Sequence, residues 1–306
     1  MHMANILITG GRGGIGTRLK AHLTRSGHEV RILTRKPTNA NKAEFNWNPD
    51  SLWIDPSALA QLNGIIHLAG DPVLGKRWTS AQKQYLLHSR TQGLACIAQA
   101  LKKHAIQLDF FGGASAVGYY GLNPSAECKT EQSAAGNDFL GRLCVAWERA
   151  YDSIRPFCKR VVIFRIGLVI DANAGMLKAL WPLYRWGLGT QIANGKAVYP
   201  WIDYRDLCRA VEQIMMSENH SHAVFNLVSP EITTQRAFHL ALKKCSSIPN
   251  LLPPVPAFVL RVVLGESSCV LYKGNAIVPE NLMQMQFKFT SYPLPETLRE
   301  LLTLKG

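Results

Sequence analysis

Short apolar runs alternate with longer amphipathic stretches along the first two thirds of the chain. The first run, Ile6-Leu7-Ile8, precedes a stretch from Ile15 to Ser26 whose apolar residues recur every four positions, which is typical of a helix packed by one face. Gly27 predicts the end of this helix, and the run from Val30 to Leu33 predicts a second strand. The chain therefore begins with a strand, a helix and a strand.

The same alternation continues as far as residue 228. Later strands are predicted over residues 65–70, 110–115, 161–170 and 223–228, and later helices over residues 80–104, 139–153 and 206–217. Strands that are apolar throughout and alternate with helices predict a parallel sheet that is covered on both faces. The predicted fold class is therefore α/β, with a doubly wound parallel sheet.

The pattern becomes less regular after about residue 175. Aromatic residues and glycines are mixed between Trp181 and Trp201, which favours a lid or substrate-side segment, about residues 175–205, over a core helix. Prolines at positions 249, 253, 254 and 256 mark a boundary before a short helical tail. We therefore predict a large α/β domain over residues 1–245 and a small C-terminal domain over residues 250–303.

The turn between the first strand and the first helix is rich in glycine. A dinucleotide pyrophosphate binds at a helix N-terminus, where free N–H groups and the helix dipole favour negative charge. We expect Gly10 to permit the turn, Gly13 to let the phosphates approach the backbone, and Gly16 to let the helix pack on the strand. A glycine-rich loop without a ligand is the alternative, but the place of these glycines predicts a Rossmann-type NAD(P)-binding fold with a C-terminal lobe on the substrate side. The predicted cofactor-binding residues of this turn are Thr9, Gly10, Arg12, Gly13, Ile15 and Gly16.

The residues after the second strand predict which dinucleotide binds. In this fold the residue just past that strand contacts the adenosine ribose, and the sequence there is Thr34-Arg35-Lys36. A carboxylate would accept hydrogen bonds from a free 2′-hydroxyl, whereas a guanidinium pairs with a 2′-phosphate at two points. We therefore predict NADP(H) rather than NAD(H). The alternative is that Arg35 is an ordinary solvated loop cation.

The net charge of +13 would suit nucleic acid, an anionic surface or a polyanionic small molecule. The chain has no run of five or more basic residues and no zinc-finger spacing, so we expect no specific nucleic-acid partner. Seven scattered cysteines without a C-x-x-C pair predict reduced thiols and no metal site. Since no apolar run approaches the ~20 residues of a spanning helix, we expect a cytoplasmic protein with no membrane partner. The sequence allows a homodimer without fixing the oligomeric state.

Several short motifs occur in the order seen in one family. They include Arg77-Trp78-Thr79, Ser89-Arg90, Ser115-Ala116-Val117-Gly118-Tyr119-Tyr120-Gly121, Trp147-Glu148, Arg165-Ile166-Gly167 and Trp201-Ile202. With these motifs the chain resembles the atypical extended short-chain dehydrogenase/reductases called epimerase-family proteins, sometimes labelled nucleoside-diphosphate-sugar epimerases. The resemblance covers nearly the whole chain, because Leu251 to Leu302 is similar to the family's small C-terminal domain of unknown function.

The resemblance implies further cofactor-binding residues outside the glycine turn. They are Lys36 beside Arg35, then Leu68, Ala69 and Gly70 at the end of the third predicted strand, Arg90 on the long helix and Arg165 on the fifth predicted strand. A buried arginine is costly unless it meets an anion or a hydrogen-bonding partner. The alternatives are an internal ion pair for Arg165 and an ordinary helix-face cation for Arg90.

The catalytic residues are harder to assign, because the usual proton-transfer pair is missing. Hydride transfer at a carbinol commonly uses a tyrosine whose pKa is lowered by a lysine four residues later. With Trp147-Glu148 as anchor, these two positions fall on Leu140 and Cys144. The remaining candidates are the superfamily's substrate-orienting serine and two phenols, at Ser115, Tyr119 and Tyr120. The alternative for both tyrosines is a pair of stacked aromatics that shape a pocket.

Two other polar residues are of interest in this comparison. Asp203 stands where relatives usually carry histidine, which exchanges a near-neutral titrating group for a carboxylate. His67 is interpreted as a packed strand residue rather than as a base.

The sequence supports two classes of function. The first is an NADP(H)-dependent oxidoreductase or epimerase that acts on an unidentified small molecule, with a nucleotide-sugar as one candidate. The second is a non-catalytic NADPH-binding protein whose cofactor occupancy controls a partner. The missing tyrosine–lysine pair keeps the second class open.

Overall fold

The computed structural model describes residues 3–38, 43–123, 127–217 and 223–303. Across these residues the main sheet contains β1 (Asn5–Thr9), β2 (Glu29–Thr34), β3 (Glu44–Asn48), β4 (Trp53–Ile54), β5 (Gly64–His67), β6 (Leu108–Ala116), β7 (Cys158–Ile166) and β10 (Val224–Leu227). Two further strands, β8 (Leu168–Ile170) and β9 (Trp201–Asp203), form a separate parallel pair. The strand order of the main sheet is β10-β7-β6-β5-β1-β2-β3-β4. In the part of the chain that the structure describes, β3 and β4 pair antiparallel and the other neighbouring strands pair parallel. This confirms the predicted doubly wound sheet.

The helices connect these strands and cover both faces of the sheet. They are α1 (Gly14–Arg25), α2 (Ser80–Lys103), α3 (Phe139–Ala150), α4 (Gly175–Arg185), α5 (Tyr204–Met216), α6 (Gln235–Cys245), α7 (Ala257–Leu264), α8 (Glu280–Gln284) and α9 (Leu294–Thr303). On one face, α1 and α5 pack over Ile6 and Ile8 of β1. On the other face, α2 and α3 pack in the layer that contains Leu7. Because successive strand residues point to opposite faces, a strand buried on both sides must be apolar throughout.

Gly167 interrupts the long apolar strand predicted over residues 161–170. β7 ends at Ile166, and the residues after Gly167 leave the main sheet. They form β8, in which Leu168 pairs with Trp201 of β9. A Cβ on Gly167 would lie 2.5 Å from the carbonyl oxygen of Pro200, so glycine permits this close approach. The prediction of one continuous strand was therefore wrong.

The segment predicted to be irregular also contains regular structure. α4 extends to Arg185, although a lid-like loop was expected from Trp181 onward, and residues 186–200 then have no helix or strand. α6 was not predicted, although Thr234 accepts a hydrogen bond from the Ala237 N–H as its N-cap.

The C-terminal residues pack against several earlier elements of the fold. A 3₁₀ turn over Gly265–Leu271 follows α7, and its Cys269 and Val270 pack against Trp78 and Leu140. α9 packs on α6 through Leu298 and other apolar residues. The division into domains at residues 245 and 250 stays a prediction. None of the helices in the described parts of the chain is long and apolar enough to cross a membrane.

Candidate functional site

The glycine turn leaves the N-terminus of α1 open. The chain turns at Gly10, whose φ is +69°, and the Gly13 N–H donates to the Gly10 carbonyl at 2.9 Å. Gly13 is the N-cap and supplies no side chain, and the first turn of α1 contains no acidic residue. A helix N-terminus of this kind favours an anion. Gly16 packs on the turn rather than on the strand, because its Cβ would lie 2.3 Å from the Gly10 carbonyl oxygen.

A cleft of about 510 Å³ opens beside this turn. It lies at the carboxyl ends of β1, β2 and β5, where ligands bind in open α/β sheets. Its walls come from the glycine turn, Thr34 and Arg35 after β2, and residues 68–71 after β5. One face of α2 completes it with Tyr85, His88, Ser89, Gln92 and Gly93. Most of the predicted cofactor-binding residues therefore lie around one cleft.

The two cations after β2 are available to a ligand. Arg35 is exposed on the cleft wall, and its guanidinium has no hydrogen bond or ion pair with any residue that the structure describes. Lys36 is also exposed, and its backbone N–H donates to Thr34 Oγ1 at 3.4 Å. Their predicted contact with a 2′-phosphate stays a prediction.

Arg12 is in a different situation, because it is paired within the protein. Its Nε donates to Glu44 Oε1 at 3.1 Å, and Glu44 also accepts from the Thr38 N–H at 3.0 Å. The hydrogen bond from Arg12 is the largest reason why the pKa of Glu44 is lowered to about 2. Contact between Arg12 and a cofactor phosphate would compete with this ion pair.

Arg90 is a buried guanidinium with a free donor. It is 7% exposed; its Nη1 donates to the Leu86 carbonyl at 3.0 Å and its Nη2 to the Asp71 carbonyl at 2.9 Å. Burial lowers the pKa of Arg90, and its Nε has no partner among the described residues. A Cβ on Gly70 would lie 3.9 Å from that Nε, which places it just behind the cleft wall. A buried cation without a carboxylate partner and with a spare N–H fits an anionic ligand.

Arg165 forms the internal ion pair that the sequence left as an alternative. Its Nε and Nη2 each donate to Glu148 at 2.9 Å, and its Nη1 donates to the Tyr120 hydroxyl at 3.0 Å. Burial acts to lower the pKa of Arg165, but the hydrogen bonds and charge of Glu148 outweigh burial and raise it. Contact between Arg165 and the cofactor stays a prediction, and the guanidinium is already engaged on three nitrogens.

The three candidate catalytic residues lie together around this ion pair. The Ser115 hydroxyl donates to Glu148 Oε1 at 2.7 Å. The Tyr120 hydroxyl donates to Asn226 Oδ1 at 2.6 Å, and burial raises the pKa of Tyr120 to about 12. The guanidinium carbon of Arg165 lies 3.3 Å from the ring centre of Tyr119. Tyr120 therefore stays neutral at ordinary pH, and Ser115 is the candidate that is hydrogen-bonded to a carboxylate.

The positions of the missing tyrosine and lysine lie close to Ser115. Leu140 and Cys144 are buried on α3, and a Cβ on Gly118 would lie 3.3 Å from the Leu140 Cβ and 3.7 Å from the Cys144 sulfur. Burial raises the pKa of the Cys144 thiol to about 12. α3 therefore places the apolar side chain of Leu140 and the neutral thiol of Cys144 at the positions where a tyrosine and a lysine would transfer the proton.

The two other polar residues have structural partners. His67 is fully buried, its Nδ1 is 2.8 Å from Thr9 Oγ1, and burial lowers its pKa to about 4. Asp203 caps α5 and accepts a hydrogen bond from the Arg205 N–H at 2.6 Å. Burial raises the pKa of Asp203 against the opposing hydrogen bonds of Arg205. Both contacts are those of packed structural residues.

Sequence reasoning missed part of the cleft wall. Trp47, Pro49 and Asp50 reach it from the end of β3, a short strand between β2 and β4 that was not predicted. Tyr85 and His88 reach it from α2. A signal existed for α2, since positions 85, 88, 89 and 92 share one face of a helix.

The comparisons with known proteins agree with this geometry. Residues 6–154 match the NAD dependent epimerase/dehydratase family, and residues 255–301 match a domain of unknown function, DUF1731. An epimerase family protein of Mycobacterium bovis is 34% identical over 99% of this chain and 100% of that relative. A relative from Staphylococcus epidermidis is 30% identical over 98% of this chain and 99% of that protein.

Two solved structures are also similar. The human epimerase family protein SDR39U1, crystallised with NADPH, has a TM-score of 0.85 at 27% identity. The match covers 98% of this chain and 99% of the human chain. A nucleoside-diphosphate sugar epimerase from Corynebacterium glutamicum has a TM-score of 0.77 at 25% identity, with 98% of this chain covering 58% of that chain. The fold and the glycine-rich cleft are of the epimerase type. The chain belongs to the epimerase family, which confirms the resemblance found in its motifs.

Proposed function

We propose that this protein binds NADP(H) in the cleft and transfers a hydride between the nicotinamide and an unidentified small molecule, as an oxidoreductase or an epimerase. The observation that carries the proposal is the set of unused anion donors around one cleft. These are the open N-terminus of α1, the buried Nε of Arg90 and the exposed guanidinium of Arg35. The NADPH in the crystal structure of the human relative supports the phosphorylated form of the cofactor.

The residues present would hold the cofactor by their charge and backbone. The N–H groups of α1 and Arg90 would bind the pyrophosphate, and Arg35 with Lys36 would bind the 2′-phosphate. A reduced nicotinamide supplies a hydride when bound. The chain's own residues must orient the substrate and manage the proton.

Ser115 is the residue that we propose to manage the proton. Ser115 donates its own hydrogen to Glu148, and a hydroxyl oxygen can also accept a hydrogen bond, which a substrate hydroxyl would supply. Because Ser115 is 2% exposed, the substrate would have to displace neighbouring side chains to reach it. In the oxidation of a carbinol, the proton that Ser115 accepts from the substrate hydroxyl would be matched by the one that it passes to Glu148. In the reduction of a carbonyl, both transfers would run in the opposite direction, from a protonated Glu148 through Ser115 to the substrate oxygen. Tyr119 and Tyr120 would shape the pocket and hold Arg165, which orients Glu148.

A second candidate function rests on the same network. Leu140 and Cys144 occupy the usual proton-transfer positions, and the pKa of Tyr120 is about 12. A protein that binds NADPH without turnover needs no proton donor. In that case cofactor occupancy would control a partner, and the substrate-side lobe would respond to binding.

Oxidation of bound NADPH distinguishes the two candidates. NADPH-loaded protein is mixed with a panel of carbonyl compounds and nucleotide-sugars, and the nicotinamide absorbance is followed. For the enzyme, at least one compound oxidises NADPH, Ser115→Ala abolishes this turnover, and the exposed Ser153→Ala leaves it unchanged. Tight NADPH binding with neither oxidation of NADPH by any compound nor epimerisation of any nucleotide-sugar by NADP⁺-loaded protein would favour the sensor, and full turnover by Ser115→Ala would contradict the role of Ser115.

A further inference from the structure

α7 is an apolar helix that the protein does not bury. Its sequence, Ala257 to Leu264, is apolar apart from Arg261, and none of its residues is buried. A helix that is apolar on all sides is normally found inside a protein or a membrane. Ala257, Leu260 and Leu264 are half-buried against the protein, whereas Phe258, Val262 and Val263 form an exposed apolar face.

The neighbouring loops continue the same surface. The loop after α4 is joined to the segment before α7, because Asn250 Oδ1 accepts from the Gly189 N–H at 2.6 Å and Thr190 Oγ1 donates to the Pro253 carbonyl at 2.6 Å. Five apolar side chains on these connected segments are 64% to 80% exposed. We call them the α7 surface: Trp186, Leu251, Phe258, Val262 and Val263.

The charged residues of the segments that carry the α7 surface are all cations, and Glu266, which follows α7, is paired with Lys83 at 2.6 Å. Residues 172–202 contain Lys178, Arg185 and Lys196 but no aspartate or glutamate. Residues 232–265 contain Arg236, Lys243, Lys244 and Arg261, again without a carboxylate. These seven cations form no ion pair with the residues that the structure describes. The partner of this surface should therefore be anionic as well as apolar.

We propose that the α7 surface docks on membranes that contain anionic lipid. Apolar side chains would enter the acyl boundary while Arg185 and Arg261 meet the headgroups. Side chains as exposed as Trp186 and Leu251 project from the protein, which suits a deformable lipid surface better than a rigid groove. A second copy of the chain would bring the same positive charge, so charge opposes self-association here. This contact needs no spanning helix, so the vesicle experiment also tests the expectation of no membrane partner.

Vesicle sedimentation tests the proposal on the full chain. The protein is mixed with vesicles of phosphatidylcholine alone or of an equal mixture of phosphatidylcholine and phosphatidylglycerol. We expect sedimentation with the mixed vesicles only, and a fall of about tenfold in partitioning for Phe258→Ser. Met283→Ser, which changes an exposed apolar residue on α8, should partition as the wild type does.

A second pair of variants tests the charge. Arg261→Glu should weaken partitioning by more than about fivefold, because each basic residue at an anionic surface contributes about 1 kcal/mol. Lys103→Glu at the far end of α2 should have little effect. Equal midpoints of thermal unfolding in all four variants verify that each is folded.

Three results would overturn the proposal. They are no sedimentation with mixed vesicles, sedimentation that Phe258→Ser leaves unchanged, and a dimer in analytical ultracentrifugation that Phe258→Ser dissociates while vesicles have no effect. The last result would identify a second copy as the occupant. None of the three bears on cofactor binding, so the proposed function is tested separately.

Discussion

Glu148 on α3 and Arg165 on β7 form a buried ion pair at two points, with two nitrogen–oxygen distances of 2.9 Å. Ser115 and Tyr120 are hydrogen-bonded to this pair, one to each partner. The ion pair between Glu148 and Arg165 thus holds the candidate catalytic residues Ser115 and Tyr120 in place. Substitutions in this pair therefore test both the stability of the fold and the role of the site.

Removing one partner of this pair should destabilise the fold. We expect Arg165→Met to lower the free energy of unfolding by about 3 kcal/mol, because it leaves a buried carboxylate without its partner. Chemical denaturation measures this change. Lys159→Met is the control, since Lys159 and Asp109 form an exposed pair whose loss should change stability much less.

Arg165→Met also tests the predicted cofactor contact of Arg165, with Glu148→Gln as its comparison. If Arg165 also binds the cofactor, Arg165→Met should weaken NADPH binding more than Glu148→Gln does. Equal affinities in both variants would assign Arg165 a structural role only. A cost of Arg165→Met no larger than that of Lys159→Met would show that the ion pair does not support the fold.

His67 should make stability depend on pH. Its pKa is about 4 in the folded protein and about 6.5 in the unfolded chain, so the unfolded state takes up a proton first as pH falls. The stability contribution of neutral His67 is complete above pH 6.5 and is lost between pH 6.5 and 4, up to about 3 kcal/mol.

Denaturation of wild type and His67→Gln at pH 7 and pH 4.5 measures this contribution by difference. Other titrating groups cancel in the comparison. We expect the wild type to lose more stability than His67→Gln does between the two pH values. Parallel losses would mean that His67 titrates normally in the folded protein.

Two glycines of the turn should respond differently to the same substitution. Gly16→Ala places a Cβ 2.3 Å from the Gly10 carbonyl oxygen, so the backbone must shift and thermal stability should fall. Gly13 has a φ of −72°, and its Cβ would lie 3.2 Å from that same oxygen. Gly13→Ala should therefore fold normally but weaken binding of both dinucleotides by obstructing the phosphates. Unchanged affinity in Gly13→Ala would mean that the turn does not bind a pyrophosphate.

Arg90 should matter more to the cofactor than to the fold. A buried guanidinium without a carboxylate partner adds little stability, so Arg90→Met should change the free energy of unfolding by less than about 1 kcal/mol. NADPH affinity should fall by about tenfold, since a charge-assisted hydrogen bond is lost. Titration calorimetry and chemical denaturation on the same sample measure both effects. A large loss of stability with unchanged affinity would reverse this assignment.

The central part of the fold follows directly from the sequence, because its strands are buried on both faces and read as apolar runs. The glycine turn could be placed because each glycine answers a specific steric need, as at Gly10 and Gly16. The β7–β8 break could not, since it depends on contact between Gly167 and Pro200, which are far apart in sequence. Short strands near the edge of the sheet, such as β3, have too few residues for a clear period.

The candidate site was predictable where one segment carries the signal, as for Arg35 after β2. The candidate site was less predictable where the role of a side chain depends on a partner that is distant in sequence. Arg12 is paired with Glu44, 32 positions away, and Arg165 with Glu148 on another element. Sequence patterns show that an arginine is buried but not which anion it meets.

Calorimetric titration of cofactor-free protein with NADPH and NADH tests the central claim most directly. We expect NADPH to bind at micromolar concentration or tighter and NADH much more weakly. Arg35→Ala should reduce NADPH affinity by about tenfold or more with little change for NADH, while Arg155→Ala on the far surface changes neither. Equal loss for both cofactors would remove the 2′-phosphate role of Arg35, and no binding of either would contradict the proposed function.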